Sequence, residues 1–270
     1  MVKTEGVTFL MKRALSILML CSLLFLMTVG SIKAGNPDYS IIEYTGGITP
    51  ATVDGVWTTE DEWNDALTVP ISGNVTFWYY AEINIYSCEF LVEIFNDNTT
   101  DAEDYWQFCF DDANSGGTAP GTGDYRVDII GHTDVIIYTG DGESWVQTTS
   151  TPSDVGLTWA NSISASPIDS NPHWILEFTF IKTTAIIPSA PPTGLRVAVY
   201  DASNSEAGVQ DWAPDSDVNV PNEWGLISGY SAEPIPEGLT IGVMMLLSSV
   251  SVLVGYHYLL KRKETKVETQ

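Results

Sequence analysis

The chain has 270 residues and a formal net charge of −24, from 35 acidic and 11 basic side chains. Between residues 35 and 236 only Arg126, Lys182 and Arg196 are basic, against 31 acidic residues, so this segment has a net charge of −28. A polyanion of this kind repels phosphate backbones, which excludes nucleic-acid binding. The segment is long enough for one domain with a sizeable core.

The first 34 residues are typical of a secretory signal peptide. Lys12 and Arg13 precede an apolar run that ends at Val29, and small residues follow up to Ala34. This order of charge, apolar run and small residues is that of a cleaved export signal. We therefore expect cleavage near Ala34 and a mature domain outside the cytoplasm.

A second apolar run, residues 239–260, contains no Asp, Glu, Lys or Arg. Its length is that of a helix crossing a bilayer core. The basic residues that follow at once predict a cytoplasmic tail, residues 261–270. A Pro-rich spacer, residues 234–238, precedes the run. We therefore expect a single-pass protein of the cell membrane, with the domain of residues 35–233 outside.

Between these two ends the sequence indicates short strands and no helical period. Asp54-Gly55 predicts a tight turn, and Trp57 and Trp63 flank an acidic turn or short helix that resembles a lid over one end of a core. Such a series of strands, with turn residues between them, favours an all-β fold, an antiparallel β-sandwich of jelly-roll or immunoglobulin-like type. The predicted strands are residues 40–44, 75–83, 86–95, 105–111, 124–130, 135–138, 145–147, 157–163, 173–181, 195–201 and 223–227.

Cys88 and Cys109 are the two cysteines left after removal of the signal peptide. An oxidising compartment favours a disulfide between them. If their strands formed a hairpin, however, the register that pairs the cysteines would separate the aromatic residues of the two strands. Two buried thiols are therefore the alternative.

Oxygen-rich loops predict a metal site. Asp112 and Asn114 begin a segment with oxygen ligands at alternate positions, but the twelfth position is Gly123, which excludes an EF-hand. The segment is either a structural Ca²⁺ site in a sandwich loop or an Asx-turn without metal. Asn74 and Asn98 begin N-glycosylation sequons.

Six motifs, spread over residues 36–228 in a consistent order, resemble the family 9 carbohydrate-binding modules. They are the opening at residues 53–66 and the segments DYWQFCFD (104–111), DYRVD (124–128), EFTFI (177–181), VAVYD (197–201) and PNEWG (221–225). The resemblance implies a β-sandwich that binds glycans without chemistry, with structural Ca²⁺. A cell-wall polysaccharide would then be the partner.

The resemblance places Arg126 where the family has a sugar-contacting arginine, and Gln107 where it has a ligand-contacting glutamate. An internal ion pair of Arg126 with Asp128 or Asp124 is the alternative reading of that side chain. The family's two stacking tryptophans fall near Asp101 and Val218, neither of which is aromatic. Trp106 and Trp212 lie close by in the sequence and become candidate sugar contacts. Trp106, however, should point to the same side of its strand as Phe108 and Phe110, which favours the core.

Two other functions have weaker support. The same sandwich carries haem in some proteins, but residues 35–236 contain no methionine, so a Met-ligated haem is excluded and no haem is expected. Only a His132–His173 or a His–Lys182 pair could serve as axial ligands. A surface-layer or adhesion protein stabilised by Ca²⁺ is the other alternative. No nucleophile motif is present, so we expect no enzyme and no catalytic residue.

Overall fold

A computed structural model describes residues 35–42, 51–82, 87–181 and 192–228. Its strands form two sheets that face each other across one hydrophobic core. The strands are β1 (Ser40–Ile42), β2 (Leu67–Pro70), β3 (Val75–Glu82), β4 (Ser87–Ile94), β5 (Tyr105–Asp111), β6 (Asp124–Ile130), β7 (Asp134–Gly140), β8 (Trp145–Gln147), β9 (Leu157–Ser164), β10 (His173–Ile181), β11 (Thr193–Tyr200), β12 (Gln210–Trp212) and β13 (Gly225–Ser228).

The first sheet has the order β1-β13-β11-β5-β6-β7-β8, with β12 also paired to β11, and the second has the order β2-β3-β4-β10-β9. The registers between β2 and β3, β3 and β4, β4 and β10, β5 and β6, and β5 and β11 are all antiparallel. This confirms the predicted all-β antiparallel sandwich. Strands β5, β6, β8 and β10 have the predicted bounds, whereas β2 and β12 were not predicted.

The predicted signal peptide, spacer, membrane helix and tail (residues 1–34 and 234–270) lie outside the described residues. Within the ranges that the structure describes, no helix has the length and apolar character needed to cross a bilayer. The predictions for the two ends of the chain therefore stay predictions.

The centre of the core is a group of phenylalanines contributed by both sheets. Phe178 of β10 stacks on its neighbour Phe90 of β4, with ring centroids 4.7 Å apart and planes within 7°. Across the core, Phe108 of β5 lies 4.2 Å from Phe178. Strand alternation places these rings inside because successive residues point to opposite faces. The aromatic-rich strands thus supply the apolar area that holds the two sheets together.

The second sheet is covered on its other face as well. Residues 51–66, which we call the lid, contain a four-residue helix, α1 (Glu60–Trp63). Trp57 and Trp63 of the lid pack against Trp78, Tyr80, Leu91 and Ile175 of the sheet. Every residue of β4 is consequently buried. The predicted lid is confirmed as a short helix between two tryptophans, but it covers a face of the sheet instead of one end of the core.

A buried carboxylate fastens the lid to the sheet. Glu177 of β10 accepts hydrogen bonds from the backbone N–H groups of Asp54 (3.0 Å) and Gly55 (2.8 Å) through Oε2, and from the indole of Trp63 (2.9 Å) through Oε1. Gly55 has φ +81°, and a Cβ there would meet the backbone of Asn161 at 2.6 Å. The predicted Asp54-Gly55 turn therefore needs its glycine.

This attachment makes stability depend on pH. Burial raises the pKa of Glu177 to about 7, against the opposing effect of its three N–H donors. Since the unfolded chain loses this proton near pH 4, the folded state holds it more tightly, and stability falls as pH rises from about 4 to 7. The loss is on the order of 3 kcal/mol. We expect Glu177→Gln to flatten the pH profile of the melting temperature over this range, while Glu60→Gln, exposed on the same lid, leaves it unchanged. An unaltered profile in Glu177→Gln would contradict this.

The structure decides between the two readings left open for the cysteines, a disulfide and two buried thiols. Cys88 and Cys109 are both buried thiols, because their strands belong to different sheets and do not form the hairpin considered for them. Cys88 faces the core, whereas Cys109 lies on the outer face of the first sheet, paired with Arg126 of β6. Burial raises the pKa of the Cys109 thiol to about 12. The alternative of two buried thiols is therefore correct.

Many of the acidic side chains are internal. Nine carboxylates are buried among the described residues, whereas Arg196 is the one buried arginine or lysine there. Burial of a charge is costly unless a partner compensates it. The nine are Glu89, Glu93, Asp97, Asp104, Asp111, Asp124, Asp128, Glu177 and Asp201.

Candidate functional site

The candidate site is the face of the first sheet that points away from the core, which we call the outer face. The register of β5, β6 and β7 places Cys109, Arg126 and Tyr138 side by side on this face. The preceding row contains Gln107, Asp128 and Ile136. Since directly opposite residues share one face, alternate residues of these strands form polar rows across the sheet.

Arg126 is the most accessible cation of this face. Its Nε donates to Asp128 Oδ1 at 2.9 Å and its Nη2 donates to Oδ2, so the two groups form a two-pronged ion pair. The guanidinium carbon also lies 4.6 Å from the ring centroid of Tyr138. The Arg126 side chain remains 21% exposed. The internal ion pair considered from sequence is present, and it holds the guanidinium in one orientation.

Gln107 is a link in a buried network and does not reach solvent directly. Its Nε2 donates to Asp128 Oδ1 at 3.0 Å, and its Oε1 accepts from Nη1 of Arg196 at 2.6 Å. Arg196 in turn donates to Asp211 Oδ2 (2.7 Å) and to the backbone oxygen of Ser216 (3.0 Å). The network therefore joins β5, β6, β11 and β12 and holds the chain around Ser216 against the outer face.

Trp106 and Trp212, both candidate sugar contacts, belong to the core instead. Trp106 is completely buried and Trp212 is 6% exposed. Trp212 packs edge-on against Phe77, with ring centroids 5.5 Å apart, and its indole fills the space where Gly225 would carry a Cβ. Trp106 points inward because it alternates with Gln107, as strand parity predicted. Neither ring presents a face on which a sugar could stack.

Another tryptophan, Trp145, contacts the backbone of Val218. Its Nε1 donates to the carbonyl oxygen of Val218 at 3.1 Å, beside the position where the family resemblance required an aromatic residue. Trp145 is half-buried and stacks on Trp224, with planes within 4° and centroids 6.2 Å apart. Trp145 and Gln147 are two positions apart in β8 and therefore share a face; Gln147 lies opposite Tyr138, so Trp145 belongs to the outer face. The sequence signal for this placement was the predicted strand of residues 145–147, which follows the turn at Gly140 and Gly142 and begins with the tryptophan.

The loop predicted to bind metal carries unsatisfied oxygens. Among the described residues, Asp112 Oδ1 and Asn114 Oδ1 are buried without a hydrogen-bond partner. Neighbouring carboxylates add negative charge: burial, together with Asp111 and Asp112, raises the pKa of Asp124 to about 7. Hard cations such as Ca²⁺ prefer oxygen donors of this kind, so the residues fit the predicted ion.

The remaining predicted residues lie apart from the outer face. His132 Nε2 lies 2.8 Å from Asp104 Oδ2, and His173 Nε2 lies 3.1 Å from Glu93 Oε1. Both histidines are buried, each with its own carboxylate partner. Of the glycosylation candidates, Asn98 is exposed and Asn74 is half-buried. Lys182 lies outside the described residues.

No family model matches the chain, and no curated protein matches it. Among solved structures, the chain is similar to a family 9 carbohydrate-binding module from Caldicellulosiruptor kristjanssonii in complex with glucose. The identity is 13% and the TM-score 0.47, over 73% of this chain and 99% of that one. It is also similar to a family 9 module from the same organism in complex with cellotriose, with 13% identity and a TM-score of 0.46 over 73% of this chain and 96% of that one. Both belong to the family that the sequence motifs resemble.

Proposed function

We propose that the domain of residues 35–233 binds carbohydrate on its outer face, around Arg126, without catalysing a reaction. The observation that carries the proposal is the fixed and partly exposed guanidinium of Arg126, held by Asp128 and by the ring of Tyr138. In a domain with so many acidic residues, a basic side chain would be expected to be buried in ion pairs with carboxylates. That of Arg126 remains 21% exposed, although its outer-face neighbours Gln107, Cys109 and Asp128 are buried.

The chemistry around Arg126 suits the hydroxyl groups of a sugar. The ion pair uses the Nε–H and one Nη2–H, which leaves three of the five N–H groups of the guanidinium for other acceptors. A planar, preoriented fork loses little conformational entropy when it binds oxygen atoms. Tyr138 and Trp145 add half-buried aromatic rings on the same face. Polar donors beside apolar rings are the usual composition of a site that orients a small ligand.

The test measures binding of glucose and cellotriose, the ligands of the two solved modules, to the purified full-length chain by calorimetry. We expect Arg126→Ala to weaken binding at least tenfold, which corresponds to about 1.4 kcal/mol. Arg126→Lys, which keeps the charge but lacks the fork, should recover only part of the affinity. Thr158→Ala, exposed on the second sheet, serves as the control and should bind as the wild type does.

Two outcomes would contradict the proposal. One is no binding by the wild-type chain, either to these two probes or to a panel of immobilised plant and microbial polysaccharides. The other is equal binding by the wild type and Arg126→Ala, with unchanged melting temperatures. If Arg126→Ala has a lower melting temperature than the wild type, Arg126→Lys takes its place in the comparison. A loss of folding is then not mistaken for a loss of binding.

The cellular setting is part of the same proposal. Residues 239–260 would anchor the chain in the cell membrane and present the domain outside, where it would hold the cell against a glycan or polysaccharide. Ca²⁺ bound by Asp112 and Asn114 would neutralise the acidic loop after β5 and stiffen it. The unsatisfied oxygens of that loop are also the observation that favours a second candidate, a surface protein that is stabilised by Ca²⁺ and binds no sugar.

A further inference from the structure

Three buried aspartates meet at one end of the sandwich, two from the connection between β4 and β5 and one from beyond β11. Asp97 follows β4, Asp104 precedes β5 and Asp201 follows β11. The pairing of Tyr105 with Tyr200 brings the last two to the same end of the first sheet. One carboxylate oxygen from each aspartate lies within 4.8 Å of the other two. Their exposed fractions are 0%, 1% and 6%.

The protein compensates this triple negative charge only in part. Asp104 accepts from the backbone N–H of Ala202 (2.7 Å) through Oδ1 and contacts His132 Nε2 (2.8 Å) through Oδ2. Asp201 Oδ1 accepts from the Ser203 hydroxyl at 2.7 Å. Apart from His132, the donors are neutral. Three like charges this close repel one another strongly in a poorly polarisable interior.

Asp97 provides a second and independent observation. Its Oδ1 accepts from the backbone N–H (3.0 Å) and the hydroxyl (2.9 Å) of Thr99. Its Oδ2 is completely buried and has no hydrogen-bond partner within the described part of the chain. A buried, unpaired carboxylate oxygen needs a partner that the protein does not supply.

We propose that Asp97, Asp104 and Asp201 together bind one hard divalent cation, with Ca²⁺ as the best fit. Two ligand oxygens on opposite sides of Ca²⁺ are up to about 5 Å apart, since each Ca–O bond is 2.3–2.6 Å long, and the separations in the triad fall within that span. The donors are carboxylates, which suit Ca²⁺ better than a softer metal. His132 then orients Asp104 from the second coordination sphere.

Bound there, the cation joins the two sheets. Asp97 extends from β4 of the second sheet, whereas Asp104 and Asp201 extend from β5 and β11 of the first. The site is distinct from the loop of Asp112 and Asn114, which follows the opposite end of β5. It is also independent of sugar binding on the outer face, so either proposal can fail alone.

The experiment uses Tb³⁺ as a luminescent stand-in for Ca²⁺ on the full-length chain, after removal of metal with EDTA. Trp174 would sensitise the ion, because its ring stacks on His132 with centroids 3.7 Å apart and His132 contacts Asp104. We expect Asp97→Asn and Asp201→Asn each to lose most of the tryptophan-sensitised emission that Ca²⁺ displaces in the wild type. Asp61→Asn, which removes an exposed carboxylate of the lid, is the matched control and should keep this emission.

Melting temperatures give a readout that a merely structural role would not produce. In EDTA, Asp97→Asn should melt at or above the wild type, because it removes a repelling charge and keeps the oxygen that accepts from Thr99. In Ca²⁺ the order should reverse, since the wild type gains more stability than the variant, which retains only the separate loop of Asp112 and Asn114. If Asp97→Asn and Asp201→Asn respond to Tb³⁺ and Ca²⁺ as the wild type does, the proposal is overturned. The same holds if Asp97→Asn lowers the melting temperature equally with and without Ca²⁺.

Discussion

Arg196→Met is expected to destabilise the domain by about 3–5 kcal/mol. The guanidinium of Arg196 is buried and donates to Gln107, Asp211 and Ser216 at 2.6–3.0 Å. A methionine fills similar space but donates nothing, so it leaves the carboxylate of Asp211 and the amide oxygen of Gln107 without their charged donor. Urea denaturation monitored by tryptophan fluorescence measures the loss as a lower midpoint with an unchanged slope.

Arg126→Met is the matched control for this variant. It removes the same chemical group from the same face, but the Arg126 side chain is 21% exposed, whereas that of Arg196 is 5% exposed. Water can therefore replace part of the lost contacts, and we expect the destabilisation to be less than half as large. Similar midpoints for the two variants would show that the Arg196 network does not support the fold in the way described.

Phe178→Ala should cost about 3–5 kcal/mol as well, for a different physical reason. The ring lies at the centre of the core, 4.7 Å from that of Phe90, 4.2 Å from that of Phe108 and 5.4 Å from that of Phe180. Its removal loses buried apolar area and leaves a cavity that rigid β-strands cannot close. Thermal or urea unfolding checks the value. Ile181→Ala, on the same strand but 44% exposed, is the control and should change stability by less than about 1 kcal/mol.

The alternation of side chains along a strand predicted well which residues face the core. The alternation in residues 105–111 assigned Trp106, Phe108 and Phe110 to the core, and all three are buried there. The same alternation assigned Gln107 and Cys109 to the opposite side of the strand, which is the outer face. This succeeds because the period of two is a local property of any strand, whatever the strand pairs with.

Strand pairing could not be predicted in the same way. The strands that carry Cys88 and Cys109 follow each other in sequence, which suggested a hairpin, yet they lie in different sheets. Which strand pairs with which depends on the packing of the whole chain, and the disulfide prediction depended on it. Trp212 was misjudged for the same reason, because only the register with β11 reveals that its indole points inward.

The acidic triad was beyond the reach of the sequence. Asp97 and Asp201 are 104 positions apart, and each alone looks like an ordinary turn aspartate. With 31 acidic residues in the domain, any choice of three would have been arbitrary. Their proximity follows from the antiparallel pairing of β5 with β11 and from the approach of the β4 end across the sandwich.

The nine buried carboxylates place part of the chain's negative charge in the interior of the domain. A charge on the surface is screened by dissolved salt, but a charge sealed in the interior is not, so its neutralising partner must enter with it. Folding of this domain therefore takes up protons near neutral pH, because burial raises the pKa of Asp124 and of Glu177 to about 7. The acidity of the medium in which the domain folds therefore sets part of its stability.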